Sequence, residues 1–440
     1  MRRYRIKEYA RVIFYGAWNF YGFKWRSHQD PAKIRKYQEK KIKKLLCYAY
    51  HQTRFYRRKY DRAGVSPDDF HILEDLEKFP TVSKDEIINN FPHNFIPEDN
   101  KLGGYIESIS SGSSGRVVRI LHRARDTWPY GLGLFRMFNS QGNYGPLDRV
   151  LFIYTSLFPA RSVLGLYPTS FISTLNPPPD TKDRILKIKP AFISSYPSHM
   201  LEMMGYFSKE DLQQIKIKGI YLGSELSSKV QRKKISDFFQ CPVFDEYSSE
   251  ELGWIACECQ HYHHHIWEDI SFIEILDGKS EKKIKDGNEG EIVGTNLHNY
   301  AVPFIRYRQG DYGVISADAK VCPCGSHFRV LEKFIGRQND CFILPSGRIL
   351  SSAYLLDSTY SLLLDTRADI NDFCLIQKGK NNIELEIKPG TSYDSNMEQM
   401  IKKRLQFLFK EKIKINIKQT DKFYKTASGK RNPIISLVGK

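Results

Sequence analysis

Two short turns rich in sulfur and imidazole, at 257–265 and 322–327, hold the first residues that could do chemistry. Cys257 and Cys259 flank one residue and are followed by His261, His263, His264 and His265. Cys322 and Cys324 form a second Cys-x-Cys pair, in Cys-Pro-Cys-Gly, with His327 just behind it. Thiolates converging from two such knuckles suit a tetrahedral structural zinc ion. The Pro-Cys-Gly turn leaves backbone amides to donate to a thiolate, which favours its charged form. Cys259, His265, Cys322 and Cys324 are the expected ligands. The histidine remains open among the four, and Cys257 is an alternative to Cys259. The competing reading is that these are buried or free thiols of a reducing cytoplasm. A closed site of this kind clamps a fold rather than performing chemistry. Cys47, Cys241, Cys341 and Cys374 are scattered and read as core residues.

A second stretch, Ser110-Ser111-Gly112-Ser113-Ser114-Gly115-Arg116, is built to wrap an anion. Small hydroxylated residues and two glycines let the backbone approach closely, and Arg116 adds charge. It has neither the G-x-x-x-x-G-K-[ST] spacing of a P-loop nor the G-x-S-x-G of a hydrolase elbow. Alone it reads equally as a Ser/Gly linker. Its company is informative: Tyr196-Pro197-Ser198, Gly223-Ser224-Glu225, Tyr247-Ser-Ser-Glu250-Glu251, Pro303-Phe-Ile-Arg306-Tyr-Arg308-Gln-Gly310-Asp311, Ile335-Gly336-Arg337-x-x-Asp340 and Ser428-Gly429-Lys430. Taken singly, Glu225 and Arg308 read as surface ion pairs and Lys430 as one more cation of a basic tail.

In this order the motifs resemble the adenylate-forming superfamily, specifically its phenylacetate–CoA ligase-like branch with the capsular-polysaccharide-biosynthesis relatives. The resemblance runs from about residue 35 to the C-terminus and includes the Cys/His pattern. It implies a two-step reaction in which a carboxylate attacks the α-phosphate of Mg-ATP, giving an acyl-adenylate and pyrophosphate, and a thiol or amine then takes the acyl group. By motif position, Ser110 to Arg116 would cradle the phosphates, Glu251 would ligate Mg2+ and Tyr247 would stack on adenine. Gly223, Ser224 and Glu225 would belong to the nucleotide site, Asp311 would accept the ribose hydroxyls, and Arg337 would contact the ribose. Lys430 would bridge ribose, carboxylate and α-phosphate as charge builds there. A C-terminal domain pivoting near Asn339–Asp340 would withdraw Lys430 and admit the acceptor. The chain departs from the family pattern at Arg116 and Val117, where Lys and Pro are common, and at Ser248 and Glu250, where Gly and Thr are usual. Arg for Lys keeps charge but changes how a phosphate is gripped, and Glu250 puts a negative charge beside the pyrophosphate path.

The elements that must position these residues read as α/β. Short β-rich runs at Val150–Tyr154, Ala191–Ser195, Ile215–Leu222, Ser271–Leu276 and Gly290–Asn296 are separated by polar and helical stretches, which predicts at least one largely parallel sheet. A polar break near 337–340 predicts a boundary. Beyond it, strands at Phe373–Gln377 and Asn382–Ile387 and a helix near Ser395–Lys410 predict a small α+β domain. The expected organisation is a basic helical arm at 1–65, a large α/β domain with the nucleotide and zinc sites at 66–337, and a small mobile domain at 338–440.

Charge is concentrated in that arm. Residues 1–65 hold 19 of the 67 Lys/Arg and 4 of the 50 Asp/Glu, a net +15 of the chain's +17. Tyr4, Tyr9, Phe14, Trp18, Phe20 and Tyr21 interleave with Arg2, Arg3, Arg5, Lys7 and Arg11. Three readings compete: a helical cap that solvates its charges, a peripheral contact with anionic membrane or a lipid-linked substrate, and, least favoured, nucleic acid. No uncharged apolar run reaches the roughly 18–20 residues of a spanning helix. The basic start leads into no apolar stretch with a cleavage site. A cytoplasmic protein is expected, in contact at most with the inner membrane face.

The leading expectation is an ATP-dependent carboxylate ligase, possible as a homodimer, whose acceptor is a thiol or an amine and whose pathway is surface polysaccharide synthesis. The alternative within the class is a CoA ligase for an aryl or fatty acid. From another class, a zinc-stabilised nucleic-acid-binding protein would explain the arm and the Cys/His pairs. It would leave Pro-Phe-Ile-Arg-Tyr-Arg-x-Gly-Asp and Ser-Gly-Lys without a reason.

Overall fold

Residues 6–98, 105–109, 118–140, 143–155, 165–318, 321–337, 340–366, 369–423 and 431–438 are described by a computed structural model. The chain gathers into two compact units, one of Met1–Tyr144 with Glu246–Lys333 and one of Gly145–Asp245 with Phe334–Lys440.

The first unit begins with helices Ile6–Arg26, Pro31–Gln52 and Arg54–Ala63. Their limits follow from local chemistry. The Asp30 carboxylate accepts the Ala32 N–H at 2.8 Å ahead of Pro31, whose missing N–H costs nothing in the first turn. The Thr53 hydroxyl accepts the Tyr56 N–H at 3.2 Å to start the third helix, and Gly64 ends it in the left-handed region. Ile34, Gln38, Ile42, Leu45 and Ala49 bury one face of the second helix.

The first helix sets Phe20 and Phe23 edge-on against Phe135 and Trp128, at 5.3 and 5.9 Å. Below it lies Asp269, whose fully buried carboxylate is gripped by both terminal nitrogens of Arg136 at 2.8 and 2.7 Å, with Arg26 at 3.6 Å. The unit's sheet is mainly antiparallel: Ser271–Leu276, Gly290–Asn296 and Tyr307–Ile315 pair in succession, with Val82–Ser83 parallel to the last. A separate antiparallel set joins Glu246–Ser249 to Gly253–Glu258 and then to His264–Ile266.

The second unit contains the parallel sheet, in the order Thr169–Ser173, Val150–Tyr154, Phe192–Ser195, Gly219–Leu222 and then the first residues of strand Val243–Ser249. Its Val150–Tyr154 and Gly219–Leu222 strands are nearly continuous, buried apolar runs, as in a covered parallel sheet, whereas Thr169–Ser173 and Phe192–Ser195 mix in hydroxyls. Leu151, Ile153, Ile193, Ile220 and Leu222 pack with Ile185, Met200, Met203 and Ile235 from helices Pro178–Ile188, Pro197–Met204 and Lys229–Phe239. The same unit includes a four-stranded sheet, ordered Lys414–Gln419, Asn382–Pro389, Ile370–Gly379 and Ile434–Ser436. Helices Ser352–Asp365 and Ser395–Phe409 contribute Leu355, Leu356, Ile401 and Leu405 to its core.

Two strand expectations differ from this fold. The Ile215–Leu222 run forms a strand only at Gly219–Leu222. The ladder starts where Phe192 faces Gly219, and just ahead of it the Ala191 N–H is given to the Arg149 carbonyl at 2.9 Å instead of to the preceding residues of that run. Ser271–Leu276 and Gly290–Asn296 pair antiparallel to each other, with no helix between them, and belong to no parallel sheet.

The contacts also divide the chain differently from the sequence boundaries at 65 and 337. Residues 1–65 share a unit with the hairpins that follow, through the Phe23 and Arg136 contacts. Residues 334–440 share a unit with 145–245, where Gln231 donates to the Tyr360 hydroxyl at 2.7 Å and the Lys229 N–H to Asp357 at 3.1 Å.

Removing the Asp269 carboxylate would strand two guanidinium groups. Asp269→Ala is expected to cost about 3 kcal/mol, read as earlier loss of tryptophan fluorescence during urea unfolding.

Candidate nucleotide site and metal centre

The metal-ligand candidates lie entirely within the first unit. Strand Gly253–Glu258 turns through Tyr262, at a φ of 59°, into strand His264–Ile266. Alternation along that hairpin points His265 to the same side as Cys259. The Sγ of Cys259 is 3.8 Å from that of Cys322, and the Sγ of Cys324 is 3.4 Å from Nε2 of His265. The donor atoms of Cys259, His265, Cys322 and Cys324 all lie within 4.8 Å of one another. Tetrahedral bonds of about 2.3 Å to sulfur place two thiolates about 3.8 Å apart, so the donor set and its spacing both fit a four-coordinate ion of the zinc type.

His265 Nδ1 lies 3.0 Å from the Phe328 carbonyl, a contact that assigns its proton and leaves Nε2 as the ligand atom. Cys257 instead directs its Sγ at the Glu258 carbonyl, 3.7 Å away. His263 places Nδ1 3.2 Å from Cys322 Sγ, and His261 is exposed. Hydrogen bonds from Cys324, His265 and the backbone amides around His261 and His263 hold the Cys259 thiol down at about 3. The same proximity raises Cys324. Sharing of protons among thiols held this close is what a divalent cation would relieve.

One contact had no signal in the sequence. The first helix reaches the second knuckle, where the Ser27 carbonyl accepts the His327 N–H at 2.6 Å. Gly325, at a φ of 81°, lies so close to the His28 ring that an added Cβ would come within 3.2 Å of it.

Three of the nucleotide-site candidates lie in the same unit. Tyr247, on strand Val243–Ser249, donates its hydroxyl to Asp311 Oδ2 at 2.7 Å, and Gln309 donates to the Tyr247 oxygen. Strand Tyr307–Ile315 presents Gln309 and Asp311 on one side, and Asp311 is buried. Glu251 follows at a tight turn: the Ser249 hydroxyl accepts the Leu252 N–H at 3.1 Å, and Gly253 has a φ of 74° that a side chain would strain. The buried Glu251 carboxylate accepts the Tyr307 hydroxyl at 3.3 Å, and its carbonyl accepts from Asn296 at 3.0 Å. Its hard oxygens are of the kind Mg2+ takes. The neighbouring arginines of the 303–311 motif are structural. Arg306 is buried against Glu274 and the Phe79 carbonyl, and Arg308 pairs with Glu291 at 2.6 Å and Glu281 at 2.7 Å.

The remaining described candidates lie in the second unit. Gly223 follows the parallel strand and donates to the Ser195 carbonyl at 3.2 Å, and Ser224 sits in the left-handed region at a φ of 66°. Glu225 accepts the Ser198 N–H on Oε2 at 3.2 Å and the Arg431 N–H on Oε1 at 2.7 Å. Surrounding protein raises its pKa, partly offset by those two N–H groups. Glu225 thus joins the Tyr196-Pro197-Ser198 turn to the residue next to Lys430. Arg431 is itself held by Asp372, by the Phe373 carbonyl at 2.7 Å and by the Phe423 ring at 4.0 Å. Arg337 ends strand Leu331–Arg337 with its side chain exposed. Gly336 before it has no room for a Cβ beside the Ser352 hydroxyl. Ser110, Ser111, Gly112, Ser113, Ser114, Gly115, Arg116 and Lys430 lie outside the described residues.

This fold and these residues can be set beside known proteins. No family model matches the chain. The phenylacetate-coenzyme A ligase of Thermus thermophilus is 26% identical over 332 residues, 71% of this chain and 72% of that protein. Protein CapK of Staphylococcus aureus is 20% identical over 414 residues, 91% of this chain and 89% of that protein. Among solved structures, 2-hydroxyisobutyryl-CoA ligase in its postadenylation state superposes with a TM-score of 0.80 at 18% identity, covering 94% of this chain and 91% of that one. The mixed α/β fold and the sequence matches together define an adenylate-forming ligase. Within that class, the sequence matches include phenylacetate-coenzyme A ligases, which the chain resembles over about seven tenths of its length.

Two outcomes are expected from the geometry. The purified protein should carry one tightly held metal ion per chain by elemental analysis, lost in Cys322→Ser with a fall in melting temperature. In Glu225→Ala the Arg431 amide loses its acceptor, and its hydrogen exchange should accelerate tenfold or more, about 1.4 kcal/mol.

Proposed function

We propose that this chain is an ATP-dependent carboxylate–CoA ligase. A carboxylate oxygen attacks the α-phosphorus of ATP, the bond to the β-phosphate oxygen breaks, and acyl-adenylate and pyrophosphate form. The CoA thiol then loses its proton and attacks the acyl carbon, expelling AMP. The observation that carries this reading is the 332-residue similarity to a phenylacetate-coenzyme A ligase. The pairing of Tyr247 with Asp311 supports it, since it places an aromatic face and a buried carboxylate side by side, as an adenosine requires.

In this reading Tyr247 packs against adenine, Asp311 accepts from the ribose hydroxyls, and Arg337 adds a ribose contact. Gly223, Ser224 and Glu225 line the nucleotide site, and Ser110 to Arg116 surround the phosphates with donors. Glu251 would hold Mg2+, which when bound neutralises phosphate charge. Lys430 stabilises the charge that builds at the α-phosphate. Residues 338–440 pivot between the two half-reactions. Cys259, His265, Cys322 and Cys324 hold structural zinc. The zinc reading is supported by three thiols and an imidazole at tetrahedral spacing within a closed, mostly buried turn.

A second reading keeps adenylation and gives the acyl group to an amine of a surface-polysaccharide precursor. It is favoured by the motif resemblance to capsular-polysaccharide relatives and by the 91% of this chain that the CapK match spans.

ATP–pyrophosphate exchange across a panel of aryl, fatty and amino acids tests the first step. One acid class should support exchange, and Lys430→Ala and Asp311→Ala should each lower it at least about a hundredfold, the scale of a lost transition-state contact. CoA-dependent AMP release with that acid would establish the thioester. Exchange without a CoA effect would favour the amine acceptor, and no exchange with any acid would overturn the proposal.

A further inference from the structure

The helix Ile6–Arg26 buries one face and leaves its more aromatic face bare. Phe20 and Phe23 turn inward, as the contacts with Phe135 and Trp128 show. On the other side Phe14, Trp18, Tyr21 and Trp25 are 61, 79, 77 and 45% exposed. Their spacing of four, three and four residues sets them along a single stripe. The stripe is internally ordered: Phe14 stacks on Trp18 at 6.3 Å, Tyr21 lies 6.5 Å from Trp25, and the Lys24 ammonium sits 5.2 Å from the Trp25 ring.

By sequence, the charge of this segment is almost all of one sign. Glu8 is the only acid among residues 1–29, against Arg2, Arg3, Arg5, Lys7, Arg11 and Lys24, besides the Arg26 that is held on Asp269. The next helix exposes Lys33, Lys36, Lys40 and Lys44, again at helical spacing. Among the described residues no helix is long and apolar enough to cross a membrane. An aromatic face on a cationic helix that does not span has the composition of an interfacial helix.

We propose that this face docks on the surface of an anionic phospholipid bilayer. Phe14, Trp18, Tyr21 and Trp25 enter at headgroup depth, and the surrounding lysines and arginines face the lipid phosphates. Charge complementarity selects this partner over a second copy of the chain, because two arms of net +15 brought face to face repel each other. Stacking of Phe14 on Trp18 already engages ring faces that a nucleic-acid base would need.

The test is flotation of the full-length protein with vesicles of phosphatidylcholine alone or enriched in phosphatidylglycerol. Wild type should float with the anionic vesicles, with a blue shift of tryptophan fluorescence, and should weaken as salt is raised. The Trp18→Ser/Tyr21→Ser variant should bind about tenfold more weakly or worse, the scale of two lost interfacial rings, at an unchanged melting temperature because both side chains are exposed. Absence of binding to anionic vesicles, or equal binding by the variant, would overturn the proposal. A wild-type dimer that the variant converts to monomer would reassign the face to self-association, and retention on DNA without vesicle binding would reassign it to nucleic acid.

Discussion

A short buried segment, Glu268 to Ser271, carries much of the first unit. Asp269 is a fully buried carboxylate with two arginines on it, and its carbonyl lies 2.7 Å from His298 Nε2. Glu268 binds Arg329 at 2.7 Å and presents its carbonyl to Gln38 of the second helix at 2.9 Å. The Ser271 hydroxyl donates to the Leu252 carbonyl at 2.6 Å, which steadies the turn that carries Glu251. Buried charges are tolerated only when paired and hydrogen-bonded. Satisfying these few therefore fixes at once where the N-terminal helices, the hairpin of the Cys/His cluster and the Glu251 turn must lie.

The Cys/His cluster and the aromatic helix are connected through the same region. The helix Ile6–Arg26 ends with Arg26 against Asp269, and the next residue, Ser27, accepts from His327 beside the Cys322–Cys324 knuckle. A clamp on that knuckle thus also fixes the C-terminal end of the helix whose other face is bare. The basic arm is accordingly part of the first unit's body, held by ring contacts with Phe135 and Trp128, by Arg136, and by its own cations Arg26, Arg35 and Lys59 on Asp269, Glu74 and Glu86.

In the second unit the corresponding tie is a single carboxylate. Glu225 follows the parallel strand Gly219–Leu222 and accepts one N–H from the Ser198 turn and one from Arg431. Two stretches of chain far apart in sequence meet on its two oxygens. The residue that meets it from the C-terminal sheet is the immediate neighbour of Lys430.

Much of this was legible in the residues themselves. Apolar runs such as Val150–Tyr154, a helix at Ser395–Phe409 and the Cys/His spacing are local patterns, set by periodicity and by which side chains can reach a common ion. Motif order was enough to indicate the superfamily. The sequence did not distinguish Cys259 from Cys257, or His265 from its three neighbours, because that depends on which of them the folded hairpin brings beside Cys322 and Cys324. It could not show that Arg306 and Arg308 are spent on Glu274, Glu281 and Glu291, or that Gly290–Asn296 pairs antiparallel with Ser271–Leu276. Those are cross-chain pairings, decided by burial and by the need of each buried polar group for a partner. The same holds for the first helix: its sequence mixes aromatics and cations on all sides, and only packing against Trp128 and Phe135 determines which rings are covered and which face water.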